Sequence, residues 1–186
     1  MPTTLLAYRP APVAASPLVR RADVGPLTWT GMHLDGLLEP LWGDVAVLTG
    51  VTVTAELRLA ALAPLVPVRG VVGRATAAWV HAGGAAPAKV DVLVRPHARR
   101  TDPHLSRRAC EAPLPVHEVL VLGGRRVTTV QRTGLDVARF VAGAEARGLV
   151  VRLLACGFDP AAALVELDRM PGERSIRSAR ALLAAL

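Results

Sequence analysis

Apolar positions alternate in the middle of this chain and recur at helical spacing in its last third, and the two patterns set the expected elements. Residues 117–122 (His-Glu-Val-Leu-Val-Leu), then Gly123-Gly124, then residues 125–130 (Arg-Arg-Val-Thr-Thr-Val) read as a β-hairpin. The two glycines supply the positive φ that a two-residue turn needs. Residues 90–95 alternate in part and predict another strand, and residues 44–48 form an apolar strand bounded by Gly43 and Gly50. A short helix is expected around residues 34–38. Thr54 precedes an Ala/Leu-rich run that should form a helix, capped by Thr54 and stopped near Pro64. Residues 74–82 predict a further helix closed by Gly83-Gly84.

Residues 131–142 and 144–156 read as helices, the second ending at Gly157. Asp159-Pro160 marks the next start, an N-cap followed by proline at the first helical position. Pro171-Gly172 breaks that helix, and residues 175–186 then place Ile176, Ala179, Leu182, Leu183 and Leu186 on one face. Residues 1–28 are rich in Pro and Ala with little period and read as an irregular arm carrying Arg20 and Arg21. The class is therefore α+β. A first part (29–84) is followed by a mixed domain (85–186) with a β-hairpin and a helical last third.

Length and composition narrow the setting. At 186 residues and 52% apolar, the chain can bury a real core and is not a solvated coil. The longest uncharged run, residues 75–88, is too short to span a bilayer, and no membrane partner is expected. The opening residues lack a basic region and are interrupted by Pro10, Pro12 and Pro17, so no secretory signal is expected. With only Cys110 and Cys156, no disulfide framework is predicted. The reading is a cytoplasmic protein with two small buried thiols.

Charge adds a direction. Twenty-two basic residues stand against fifteen acidic, a net +7, and Lys89 is the one lysine among them. The Arg, Ala, Val and Leu bias fits a GC-rich genome, so arginine use is partly compositional. The excess still predicts attraction to polyanions, with double-stranded DNA the expected partner; the plain alternative is a charged surface that aids solubility. The densest cluster is Arg95, Arg99, Arg100, Arg107 and Arg108, with His97 and His104, against Asp102 alone. Arg125 and Arg126 just past the hairpin turn would extend it. Such a cluster suits phosphate contacts or, equally, a solvated basic loop. No aromatic residues interleave, which argues against a base-stacking platform.

Other chemistry is thin. His97, His104, Cys110 and His117 are separated by six, five and six residues, which fits no paired zinc-ligand spacing. No metal or cofactor is expected. Thr133-x-x-Asp136 resembles a capping box at a helix start, and Arg132 can pair with Asp136 four residues on. A polar site at Arg132 and Asp136 is the functional alternative. Phosphate loops, dinucleotide fingerprints, nucleophile elbows and zinc-protease motifs are all missing from the sequence. It does not read as an enzyme.

The order of several segments carries a resemblance. Residues 37–47 could form a wing and are followed by residues 54–62, then 73–83, then the arginine-rich stretch. The run Gly-Gly-Arg-Arg-Val-Thr-Thr-Val and residues 132–139 (Arg-Thr-Gly-Leu-Asp-Val-Ala-Arg) complete the order. Over roughly residues 30–186 this resembles actinobacterial antitoxins of the AbiEi type. The resemblance implies an N-terminal winged helix, an α/β C-terminal domain and repression of the protein's own operon. It also implies a nucleotidyltransferase-like toxin as partner in a type IV toxin–antitoxin pair. The family's endonuclease-like extension is not expected here. The Pro-rich composition before Leu37 departs from the family and predicts a truncated or degenerate helix-turn-helix. A protein-interaction or oligomerisation module that no longer reads DNA sequence is the alternative.

Overall fold

The computed structural model describes residues 16–97, 102–170, 172 and 174–186, and these form two compact units. The architecture is α+β. The first unit holds residues up to Pro40 and Asp44–Val51, and the second holds Leu41–Gly43 and Thr52–Leu186. The boundary expected at 84/85 thus falls inside the second unit, where residues 59–80 share a core with Val90, Val92 and Val127 of its sheet.

In the first unit, β1 (Leu18–Arg20) leads into α1 (Arg21–Val24) and then α2 (Pro26–Leu34). β2 (Leu38–Trp42), whose last two residues are counted with the second unit, and β3 (Val45–Leu48) follow, in a three-stranded sheet of order β1-β3-β2. β1 runs antiparallel to β3 with Leu18 opposite Val47 and Arg20 opposite Val45. Residues 18–28 are therefore a strand and helices, not an irregular arm, while residues 1–15 lie outside the described residues. Proline misleads here because Pro26 stands at the first helical position, where its missing N–H is no loss. The helix expected around residues 34–38 is also corrected. α2 ends at Leu34, Gly36 takes φ +69°, and Leu38 already opens β2.

The second unit is built on a five-stranded mixed sheet of order β6-β5-β4-β8-β7. Its strands are β4 (Val71–Val72), β5 (Val90–Val94), β6 (Arg107–Glu111), β7 (Val119–Leu122) and β8 (Arg125–Thr128). β5 is antiparallel to β4 and parallel to β6, and β8 is parallel to β4. The hairpin forms as expected, with Leu122 opposite Arg125 and positive φ at Gly123 and Gly124. β6 falls where a charged loop was anticipated.

Among the described residues six α-helices complete the unit. Thr54 caps α3 (Ala55–Ala61) through Leu57 N–H, and Gly83 at φ +68° ends α4 (Arg74–Ala82). α5 (Val130–Phe140), α6 (Gly143–Leu154), α7 (Pro160–Asp168) and α8 (Ile176–Ala184) form the helical third. Asp159 caps α7 by accepting from Ala161 and Ala162 N–H. The cap of α5 is Thr129, not Thr133: Thr129 accepts from Arg132 N–H, so the sequence Thr133-x-x-Asp136 lies wholly inside the helix and is no capping box.

One sheet face packs Val72, Val90, Val92 and Val127 against Leu59, Leu62, Trp79 and Val80 of the α3–α4 region. The other face carries a smaller cluster of Val71, Leu93 and Leu114. A helical core gathers Leu135, Val150, Leu153, Phe158 and Leu167. Among the described residues no helix is long and apolar enough to cross a membrane. Cys110 is half-buried and Cys156 exposed, so neither is the fully buried thiol expected. Each has a polar partner: Arg74 Nη1 lies 3.2 Å from Cys110 Sγ, which also packs against the Val71–Leu93–Leu114 cluster, and Cys156 Sγ lies 3.7 Å from the His81 carbonyl.

Candidate functional site

The arginines singled out in the sequence do not form one face. β6 alternates its side chains across the sheet, so Arg107 and Arg108 leave on opposite sides. Arg108 Nε donates to Asp91 Oδ1 at 2.6 Å, and the Asp91 side chain is 1% exposed against 58% for Arg108. That hydrogen bond, with the Asp91 charge behind it, holds the Arg108 guanidinium above the ordinary arginine value despite some burial. Arg108 thus neutralises a buried carboxylate.

Arg95, Arg107 and Arg126 do come together. They line a cleft of about 910 Å³ with Arg69, His97 and residues of the loop 64–70. The loop enters β4, Arg95 follows β5, Arg107 opens β6 and Arg126 stands in β8, so four separate segments bring the four arginines to the cleft. Arg107 Nη1 donates to the Leu65 carbonyl at 3.0 Å and Nη2 to the Asp102 carbonyl. Arg126 Nη2 donates to the Val68 carbonyl at 2.5 Å. Arg69 and Arg95 are exposed, and Asp102 is the one acid among the lining residues. Arg125 lies outside this lining, and Arg99 and Arg100 lie outside the described residues.

Arg69 was not singled out from the sequence. It stands alone between Pro67-Val68 and Gly70, where no charge cluster draws attention. The available signal was a basic residue in a Pro/Gly loop directly before an apolar strand.

The second polar site is the Arg132 neighbourhood on α5. Arg132 Nε donates to Asp136 Oδ2 at 3.0 Å, as the four-residue spacing predicts, and Nη1 reaches Glu118 Oε2 and the Pro113 carbonyl. Side-chain exposures of 11%, 2% and 21% for Arg132, Asp136 and Glu118 place this cluster within the fold. Burial works against charge on Arg132, but Asp136 and then Glu118 outweigh it and hold the guanidinium above its ordinary value. Burial pushes the Asp136 carboxyl up against the pull of Arg132. Thr133 is buried and shares a 2.6 Å hydrogen bond with Thr128, joining α5 to the end of β8. Arg132, Thr133 and Asp136 tie α5 to β8 and to the segment before β7.

Among the described residues no three His, Cys, Asp or Glu side chains are grouped to hold a metal ion. His97 lines the arginine cleft, whereas His104 accepts from Ser106 N–H at 3.1 Å. In comparisons with known proteins, no family model and no curated protein matched the chain.

Proposed function

We propose that the protein is a DNA-binding transcriptional regulator of the antitoxin kind, with its first unit as a winged-helix-like reading head. The order of elements in that unit carries the reading. β1, α1, the Gly25 turn at φ +79° and α2 precede β2 and β3, in a sheet of order β1-β3-β2. Two helices joined at a glycine, the second followed by a β-ribbon, suit insertion of the second helix into a major groove. α2 has no buried residue, and Thr28 near its start is exposed, where side chains of a recognition helix meet base edges. The net +7 charge adds sequence-independent attraction. On this reading the protein represses its own operon and neutralises a nucleotidyltransferase-like toxin.

The test is fluorescence anisotropy on the gene's own upstream DNA and a scrambled duplex at two salt concentrations. Tighter binding to the upstream fragment at both salts, reduced by Thr28→Ala, is the expected result. Equal affinity for both duplexes removes the reading head, and absence of binding removes the DNA reading altogether.

A second reading, a partner-binding or oligomerising module, is favoured by Leu27 and Leu34. They stand seven apart on α2 and are 89% and 83% exposed. A helix that leaves two leucines in water suits a protein surface at least as well as a groove.

A further inference from the structure

We infer that the arginine cleft of the second unit is a binding site for a phosphate monoester of about nucleotide size. The inference stands on that unit alone and does not depend on the DNA reading. Four arginines, Arg69, Arg95, Arg107 and Arg126, line one cleft, and Asp102 is the one acid among its described lining residues. Like charges gathered this way repel one another, and a dianion held among them relieves the repulsion.

Two of the four are fixed in advance. Arg107 and Arg126 are anchored on the Leu65 and Val68 carbonyls, which belong to the very loop that walls the cleft. Each keeps further N–H donors beyond those bonds, and a guanidinium already held in place loses little freedom when it grips an anion. The loop itself lies close against the sheet. A Cβ on Gly70 would stand 2.7 Å from Val92 Cγ1 and 3.1 Å from Pro67 Cδ, so only glycine lets the wall sit there. Arg69 and Arg95 are exposed and engage no acid among the described residues, which leaves both guanidiniums for a ligand.

Size and wall chemistry select the class. About 910 Å³ lies within the range of small-molecule sites. A duplex presents phosphates along a rail and could meet only the rim of such a concavity. Val66, Pro67, Val68 and Pro96 give the cleft apolar surface beside its arginines, and Val68 is 96% exposed. One phosphate among the guanidiniums with a ring system against the valines and prolines matches that division.

The experiment uses the full chain and isothermal titration calorimetry with adenosine 5′-monophosphate, inorganic phosphate and adenosine, with a short duplex as a further arm. Saturable one-site binding of the monophosphate, weaker binding of phosphate and none of adenosine are expected. Arg69→Ala and Arg95→Ala should each weaken the monophosphate by about tenfold or more, the usual consequence of losing a charge-assisted hydrogen bond. Both side chains are exposed, so the thermal midpoint should stay put and separate lost binding from lost folding. Absence of monophosphate binding, or binding that ignores both substitutions, overturns the inference. So does a result in which the two substitutions weaken only the duplex, because the arginines would then serve nucleic acid. Failure to bind upstream DNA while the monophosphate binds leaves the cleft standing and removes the regulator reading alone.

Discussion

The two units divide shape from charge. The first has the strand–helix–helix–strand–strand order on which the proposed DNA reading rests, yet its sequence holds Arg9, Arg20 and Arg21 against Asp23, Asp35, Glu39 and Asp44. Nineteen of the twenty-two basic residues and eleven of the fifteen acids belong to the second unit. Burial divides the same way. The first unit buries Leu38 and three residues of β3, and neither of its helices has a buried residue, whereas the second holds three buried clusters. Stability and anion attraction thus reside in the second unit, and the open helix resides in the first. Charge alone points to the second unit and the order of elements alone to the first, so the proposed DNA reading needs both.

The sharpest way to break the comparison is to damage the second unit and watch the first. Arg132→Ala leaves Asp136 and Glu118 without their cation inside the fold, and the expected loss is about 3–5 kcal/mol. Denaturant unfolding measures the loss, and hydrogen exchange locates it. Protection should fall across α5 and β8 while β1 and β3 keep theirs; a simultaneous collapse of both would make the two units one cooperative body. Leu135→Ala removes a core side chain that is 1% exposed and should cost about 2–5 kcal/mol with the same distribution.

These substitutions fall where the sequence was readable. The Gly-Gly hairpin, the Thr54 cap, the Asp159-Pro160 start and the ending at Gly83 were legible because a few local residues decide each of them. β6 was not, because Arg107-Arg-Ala-Cys-Glu111 carries three charges and earns its place only by pairing with β5, residue for residue. The α5 start was legible to within a residue, but its cap was misplaced by one turn because Thr129 and Thr133 offer the same hydroxyl, and Thr133 spends its own on Thr128. At the cleft, the run of arginines drew the eye to residues 95–108, but sheet alternation sent Arg108 away to Asp91. Arg126 extends the cluster as its place past the hairpin turn suggested, whereas Arg69 comes in from a distant loop that no spacing rule joins to it.

A finer test concerns the balance inside the α5 cluster. Burial raises the Asp136 pKa above the ordinary 3.8, against the attraction of Arg132. An acid with a raised folded-state pKa holds its proton longer when folded. Its contribution to stability is therefore largest below the unfolded value and declines as pH rises through the interval between the two values. Asp136→Asn removes this titration. The stability difference, variant minus parent, should move in favour of asparagine as pH rises from 3.8 upward, as followed by urea unfolding at a series of pH values. Movement in the opposite direction would mean that Arg132 and its neighbours outweigh burial, and the cluster would then stabilise the ionised acid.

The smallest expected stability effect is in the first unit and bears most directly on what that unit does. Leu27→Ser and Leu34→Ser change side chains that are already in water, so unfolding free energy should stay within about 0.5 kcal/mol of the parent. Seven residues on a helix make nearly two full turns, which puts both leucines on one face and makes a paired substitution a test of that face. Thr28 lies about a quarter-turn from Leu27, so a groove contact through Thr28 can persist without the leucines. Under the DNA reading the double variant should retain its preference for upstream over scrambled DNA, and sedimentation velocity should find its size unchanged. A loss of self-association or of a co-purifying protein, with DNA preference absent from the parent as well, would give α2 to a protein partner. The comparison would then be between a basic ligand-binding unit and an apolar docking unit, with no groove reader in either.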